Sequence, residues 1–364
     1  AADTLKLDIK ELFFGKSQRG KLPSAVVGDV KTALSKVFTR RTLVGKVAGV
    51  FDPLGLLTPV VAMLKLDLQE ICKMKLGWDD QIPGDLLEKW VRNLDNIEKC
   101  REVVFRRAVI PIDAVSLSLD IIVSADSSQN VAVACVHSRV LRTNGEYSVQ
   151  LLCAKSKLVT LLTVPKGELR AATMAASLGH IVRHNFGNFI ASSIYVTDST
   201  ITLFWMSQDE RPLQTGVRNC VIEIRRLTAL TSWNHIESSK NVADIATRPI
   251  AVEDIIDDSE WISGKPWMRL SRDEMPVNTI QEIQLSGEEK RLAAVELKAA
   301  DVQGVFLSEL RGKVAERYNF SKYLLDPCKY RWDKVTTITG LVMKFVETLR
   351  PKFIPIWRPP IPPQ

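Results

Sequence analysis

The alternation of strand-like and helix-like segments between residues 109 and 250 leaves this chain few folds to adopt. Residues 117–123 are a mostly apolar run that ends in Ser124-Ala125-Asp126-Ser127-Ser128. Residues 131–136 are rich in Val, and 147–153 make a third such run, with Asn144-Gly145 between the two. Asn-Gly favours a tight hairpin turn, so the three runs predict an antiparallel meander. A long helix is expected over 166–184, with Pro165 in its first turn. Residues 189–196 form a fourth strand candidate that stops at Thr197-Asp198-Ser199. Helices over 200–207 and 216–230, a short fifth strand over 232–236 and the start of a helix over 242–247 complete the series. The order β-β-β-α-β-α-α-β-α specifies an α/β fold, a mixed five-stranded sheet with flanking helices.

The regions on either side read differently. The first hundred residues are mostly helical in pattern, with short amphipathic stretches at 30–38 and 42–50. Phe51-Asp52-Pro53-Leu54-Gly55 breaks them with a turn. A mostly buried helix is expected over 60–76. Another starts at Pro83-Gly84-Asp85, with Leu86, Leu87, Trp90, Leu94 and Ile97 at helical spacing. Beyond Trp267 the chain is charged and helical in character, and Arg358-Pro359-Pro360-Ile361-Pro362-Pro363-Gln364 reads as extended polyproline. Three units follow: a helical connection over 1–108, the sheet domain over 109–250, and a linker with a helical, proline-ended extension over 251–364.

Composition narrows the function class. Hydrophobic residues make up 46% of the chain, enough for sizeable cores. The net charge of +7 suits a polyanionic partner without identifying one. The six cysteines form no Cys-x-x-Cys pair and no finger spacing with a histidine, which argues against structural zinc and for reduced, buried thiols. Charged residues at the start are unlike a signal peptide, and the longest apolar stretch, 54–64, is short and holds Pro59. A soluble, intracellular protein is expected.

Four carboxylates stand at special points of this topology. Asp126 ends the first strand, Glu168 lies in the first turn of the long helix, Asp198 ends the fourth strand, and Asp244 begins the segment after the fifth. Ends of neighbouring elements converge at one edge of an open α/β sheet. Ala171, Ala172, Ala175 and Ala176 give the long helix a small face, so it can lie close to the sheet and bring Glu168 towards Asp126 and Asp198. Carboxylates so gathered repel one another unless cations neutralise them. Two Mg²⁺ ions, with Mn²⁺ as a substitute, would activate water against a phosphodiester. Acids at helix starts also suit the helix dipole, so the alternative reads Asp244, and to a lesser degree Glu168, as capping residues and Asp126 and Asp198 as loop residues.

The sequence resembles the Bel/Pao retrotransposon polyproteins over roughly residues 36 to 270. Thr39-Arg40-Arg41, Val47-Ala48-Gly49-Val50-Phe51-Asp52-Pro53-Leu54-Gly55-Leu56-Leu57-Thr58-Pro59-Val60 and Trp78-Asp79-Asp80 look like the segment that follows the polymerase. Leu152-Cys153-Ala154-Lys155-Ser156-Lys157, Pro165-Lys166-Gly167-Glu168-Leu169 and Thr197-Asp198-Ser199 are similar to motifs of the ribonuclease-H-like domain. Trp233-Asn234-His235-Ile236, Asn241-Val242-Ala243-Asp244 with Thr247-Arg248, and Trp261, Gly264, Pro266 and Trp267 resemble its closing motifs. The tail around 317–350 looks like the helical linker before the integrase. The resemblance implies a ribonuclease-H-like fold and hydrolysis of the RNA strand of an RNA–DNA hybrid. It also implies reverse transcriptase and integrase segments of the same polyprotein as partners, and a cytoplasmic, nuclear or virus-like-particle location. The alternative is a catalytically decayed nucleic-acid-binding or structural remnant. The chain departs from the family pattern at Ser124, Ser127, Gly167, Val242 and Pro249, but keeps all four acids. The family's "peptidase" label fits poorly, because Asp198-Ser199-Thr200 lacks the glycine of an aspartic peptidase loop.

Other residues have competing readings. His235 is a candidate proton shuttle or a half-buried strand residue. Lys155, Lys157, Lys166 and Arg170 could hold phosphates or form a solvated basic face. Trp205 could stack on a nucleotide, but a helical aromatic more often belongs to a core. Ser128 could serve the site or the turn, and Arg225 with Arg226 could grip a hybrid.

Overall fold

The computed structural model describes residues 4–7, 38–159, 162–209, 212–255 and 258–297. The expected helix over 30–38 lies almost wholly outside these residues. The expected helical and polyproline features beyond 297 lie outside them altogether.

The described strands are β1 (Thr4–Lys6), β2 (Val104–Arg106), β3 (Leu119–Ser127), β4 (Val131–Leu141), β5 (Tyr147–Leu158), β6 (Ile190–Thr197), β7 (Trp233–Ile236) and β8 (Val277–Thr279). The main sheet runs β5-β4-β3-β6-β7-β8. β3, β4 and β5 form the antiparallel meander, β6 and β7 join it in parallel, and β8 closes the far edge antiparallel to β7. The five-stranded expectation is corrected to six. β8 has only three residues, Val-Asn-Thr, too short to show alternation. The small β1–β2 sheet also lies in the part expected to be helical.

Strand alternation divides the core into two layers. Ile122, Val131, Val133 and Cys135 face the layer built on helices α1 (Arg40–Ala48), α2 (Thr58–Lys73) and α3 (Gly84–Lys99). Leu119, Ile121, Val123 and Ala125 face helices α4 (Val164–Phe186), α5 (Thr200–Ser207) and α6 (Thr215–Leu227). Burying each large aliphatic side chain contributes roughly 1.5–3 kcal/mol. Ala171, Ala172, Ala175 and Ala176 are fully buried, so α4 lies on the sheet through the small face its sequence showed. Trp90 of α3 and Trp261 share the first layer, so the segments before 108 and after 250 build on the same core as the sheet. The described residues all fall within one compact unit.

The motif around Phe51 is a packing turn. The Asp52 carboxylate accepts from Leu56 N at 3.0 Å and Leu57 N at 2.7 Å, leading the chain into α2. Gly55 has φ +72°, and a Cβ there would lie 1.9 Å from the Ala154 carbonyl oxygen. The Leu54 carbonyl meanwhile accepts from Ala154 N at 2.8 Å. The turn therefore caps the outer edge of β5 through a contact only glycine permits. Lys65 of α2 reaches the same edge at the Ser156 carbonyl and hydroxyl. Arg40 and Arg41 both stack on Trp78, and Arg41 grips Asp79 through two bonds of 2.8 and 3.0 Å. Trp261 donates to the Leu56 carbonyl and Trp267 to the Lys240 carbonyl, so the closing tryptophans lock the core.

Five cysteines are described, all free thiols. Cys100 and Cys135 are buried and Cys153 and Cys220 partly so, but Cys72 is exposed, against expectation. Among the described residues no helix is long and apolar enough to cross a membrane.

Candidate active site

Asp126 and Asp198 leave the sheet side by side. β3 and β6 run parallel with Ala125 opposite Thr197, so the next residue on each strand is one of the two aspartates. Adjacent strands lie about 4.8 Å apart. Asp126 is 7% exposed and Asp198 half-buried. Glu168 arrives from the first turn of α4, and Asp244 from the segment Val242–Thr247 after β7. The topology thus brings all four predicted acids to one end of the sheet.

That last segment is a 3₁₀ turn and not the helix start expected. Arg248 precedes Pro249 and is extended, with φ −120° and ψ 156°. A following proline disfavours helical geometry in this way, so the helix cannot propagate.

The charges feel one another. Burial pushes the Asp126 carboxyl up to about 7; Asp198 and Asp244 push the same way, while a hydrogen bond from Thr247 opposes them. Burial likewise raises Glu168 to about 7, opposed by a hydrogen bond from Ser199 and reinforced by Asp198, Asp126 and Glu289. Each acid also has a tether. Thr247 Oγ1 donates to Asp126 at 2.9 Å, Ser199 Oγ donates to Glu168, and Asn241 Nδ2 donates to Asp198 at 3.4 Å. Asp244 is paired with Arg248 at 2.9 Å. Among the described residues, no three His, Cys, Asp or Glu side chains are gathered closely enough to hold a metal ion as they stand.

Several of these residues carried no functional reading in the sequence. Ser199, Thr247 and Asn241 lie inside recognised motifs, Ser199 directly after Asp198 and the other two three residues either side of Asp244. Glu289 was missed. It lies in the first turn of helix α7 (Gly287–Val295), accepts from Thr200 Oγ1 and adds negative charge beside Glu168. Nothing in the local sequence around Glu289 links it to this site.

The neighbouring cations are less free than the sequence suggested. Lys166 is ion-paired at 2.8 Å with the buried Glu296. Arg225 clamps the Met206 and Gln208 carbonyls, and Arg226 pairs with Glu223. Lys155, Lys157 and Arg170 are exposed. Trp205 is fully buried and donates to the Ala293 carbonyl, so it is a core residue. His235 is half-buried on β7, and Ser128 closes the turn before β4 through Val131 N.

Residues 39–199 match the family described as the Pao retrotransposon-like RNaseH-like domain. The matched stretch includes Asp126, Glu168 and Asp198, and stops before Asp244. Over these residues the chain is similar to that Pao retrotransposon-like family, and its mixed α/β sheet has the ribonuclease-H-like fold. No curated protein matches the chain. Among solved structures it is similar to the N-terminal RNase H domain of a Mycobacterium tuberculosis protein, solved as a fusion with maltose-binding protein. The identity is 14%, covering 36% of this chain and 94% of that one, with a TM-score of 0.25. It is also similar to RNase H1 from Halobacterium salinarum NRC-1, at 17% identity over 35% of this chain and 90% of that one, with a TM-score of 0.23.

Proposed function

We propose that this Pao-type, ribonuclease-H-like region hydrolyses the RNA strand of RNA–DNA hybrids, with Asp126, Glu168, Asp198 and Asp244 as the catalytic and metal-binding residues. The observation that carries the reading is that Asp126 and Asp198 each follow the paired residues Ala125 and Thr197 of adjacent parallel strands, with the Glu168 carboxyl raised by both charges. Four carboxylates are the donor chemistry of hard divalent ions, here two Mg²⁺ or, in substitution, Mn²⁺. Protons retained to about pH 7 by Asp126 and Glu168 mark a site whose ionised form calls for positive charge. Bound ions would lower the pKa of an attacking water and offset charge on the phosphate.

The chain's own groups set the rest. Thr247 and Ser199 orient the Asp126 and Glu168 oxygens, and Arg248 partly neutralises Asp244. Lys155, Lys157 and Arg170, which are exposed, would meet backbone phosphates, and recognition of ribose 2′-hydroxyls would select the RNA strand. Reverse transcriptase and integrase segments of one polyprotein are the partners this reading assigns.

The second reading is a remnant that binds nucleic acid without cutting it. The open spacing of the acids favours it. Cleavage of a labelled RNA–DNA hybrid in Mg²⁺ or Mn²⁺, beside single-stranded RNA and duplex DNA, separates the two. Cleavage confined to the hybrid and abolished in Asp198→Asn supports the nuclease. An intact chain that binds the hybrid and leaves it whole in both metals establishes the remnant.

A further inference from the structure

Asn241 joins three parts of the carboxylate site through one buried side chain. It is 1% exposed. Its Oδ1 accepts from Ala243 N at 3.2 Å, starting the 3₁₀ turn that carries Asp244. Its Nδ2 donates to the Ala125 carbonyl at 2.9 Å, on the residue before Asp126, and to Asp198 Oδ1 at 3.4 Å. The amide cannot flip without turning an oxygen towards a carbonyl and a carboxylate and an NH₂ towards a backbone N–H. Its orientation is therefore fixed by its partners.

We propose that Asn241 is a positioning residue for the carboxylate site, tying the end of β3, the Asp198 carboxylate and the turn bearing Asp244 into one register. The inference rests on the nuclease reading and deepens it. Each acid arrives on a separate element, and nothing else among the described hydrogen bonds links three of those elements through one side chain. Loss of the NH₂ strands a buried carbonyl at Ala125 and frees Asp198 to rotate away from Asp126.

Two variants separate this role from simple capping. Asn241→Ser keeps a good cap for the turn and removes both donor bonds. Asn241→Asp keeps the cap and the shape but sets an acceptor against Asp198. Three measurements use the full chain: unfolding in denaturant without metal, Mn²⁺ binding by calorimetry, and hybrid cleavage. In a double-mutant cycle with Asp198→Asn, the Asn241→Ser effect on the unfolding constant is expected to be non-additive by about threefold or more. Mn²⁺ binding should weaken about tenfold in Asn241→Ser and more in Asn241→Asp, at temperatures where both are folded. kcat should fall with KM for the hybrid unchanged.

An additive cycle overturns the tether. Unchanged Mn²⁺ affinity and kcat in both folded variants overturn the positioning role and leave the nuclease standing. Wild-type chain that neither binds Mn²⁺ nor cuts the hybrid ends the nuclease reading, and the cycle still decides whether Asn241 and Asp198 interact. If Asn241→Asp fails to fold, Asn241→Ser alone decides each of these points.

Discussion

Replacing Asp126 by Asn should stabilise the folded chain while destroying the proposed activity. The carboxyl ionises near 7 in the folded chain, against an ordinary value of 3.8. At about 1.4 kcal/mol per pH step, full ionisation of both states penalises folding by about 4 kcal/mol above pH 7. The sign follows from proton uptake. As pH falls from about 7 to about 4, the folded state binds the proton first, so the penalty disappears over that window. Asn has nothing to ionise and can still accept the Thr247 hydroxyl, which donates to Asp126 at 2.9 Å. Urea unfolding with a chelator present should therefore show Asp126→Asn more stable than wild type at pH 8, by up to about 4 kcal/mol, and the gap closing towards pH 4. Adding Mg²⁺ at pH 8 should stabilise wild type far more than the variant. A variant less stable than wild type at pH 8, or a gap that does not change with pH, would refute the electrostatic account of this site.

Three further outcomes follow from other positions. Gly55→Ala should destabilise by about 3 kcal/mol or more in denaturant unfolding, because a Cβ 1.9 Å from the Ala154 carbonyl oxygen meets backbone that cannot yield. Gly167→Ala should lose about 1–2 kcal/mol, since its Cβ would lie 2.7 Å from Ser127 Oγ, and Ser127→Ala should restore most of that loss in the double variant. His137 is fully buried, and burial lowers it to about 4 from 6.5. The unfolded state binds its proton first as pH drops below 6.5, so this residue removes about 3 kcal/mol between pH 6.5 and 4. The stability of His137→Leu relative to wild type should rise across that window; a constant difference would show that His137 does not titrate in this way.

Much of the sheet was readable because its strands are long and bounded by turn residues. Val131 to Val136 is an unbroken apolar run and fully buried, and Asn144-Gly145 set the next hairpin. β8 was not readable, since its strand character comes from lying beside β7 and not from Val-Asn-Thr itself. Asp126, Glu168 and Asp198 were legible as acids at element ends, and the pairing of Ala125 with Thr197 accounts for the first and third. Asp244 was legible as an acid but not as part of a 3₁₀ turn, because the effect of Pro249 reaches back only through Arg248. Gly167 and Ser127 each looked like a separate departure from the family pattern. In space they are one arrangement, with the serine hydroxyl filling the room a larger residue at 167 would take. The sequence leaves Lys166 as either a phosphate contact or part of a solvated basic face, because its partner, Glu296, is 130 residues away and visible only after folding.

The cover over the outer edge of β5 has a practical consequence for anyone dissecting this protein. β5 is 12 residues long and forms the border of the sheet. The carbonyl of Leu54, the amine of Lys65 and the carbonyl of Arg106, which accepts from Gln150, occupy part of its rim. A fragment begun at residue 109 would strip all three away and leave a bare strand free to pair with its copies. A fragment that starts before Thr39 keeps this cover, and its soluble yield is expected to exceed that of one cut at 109; equal yields would show that the cover does not matter.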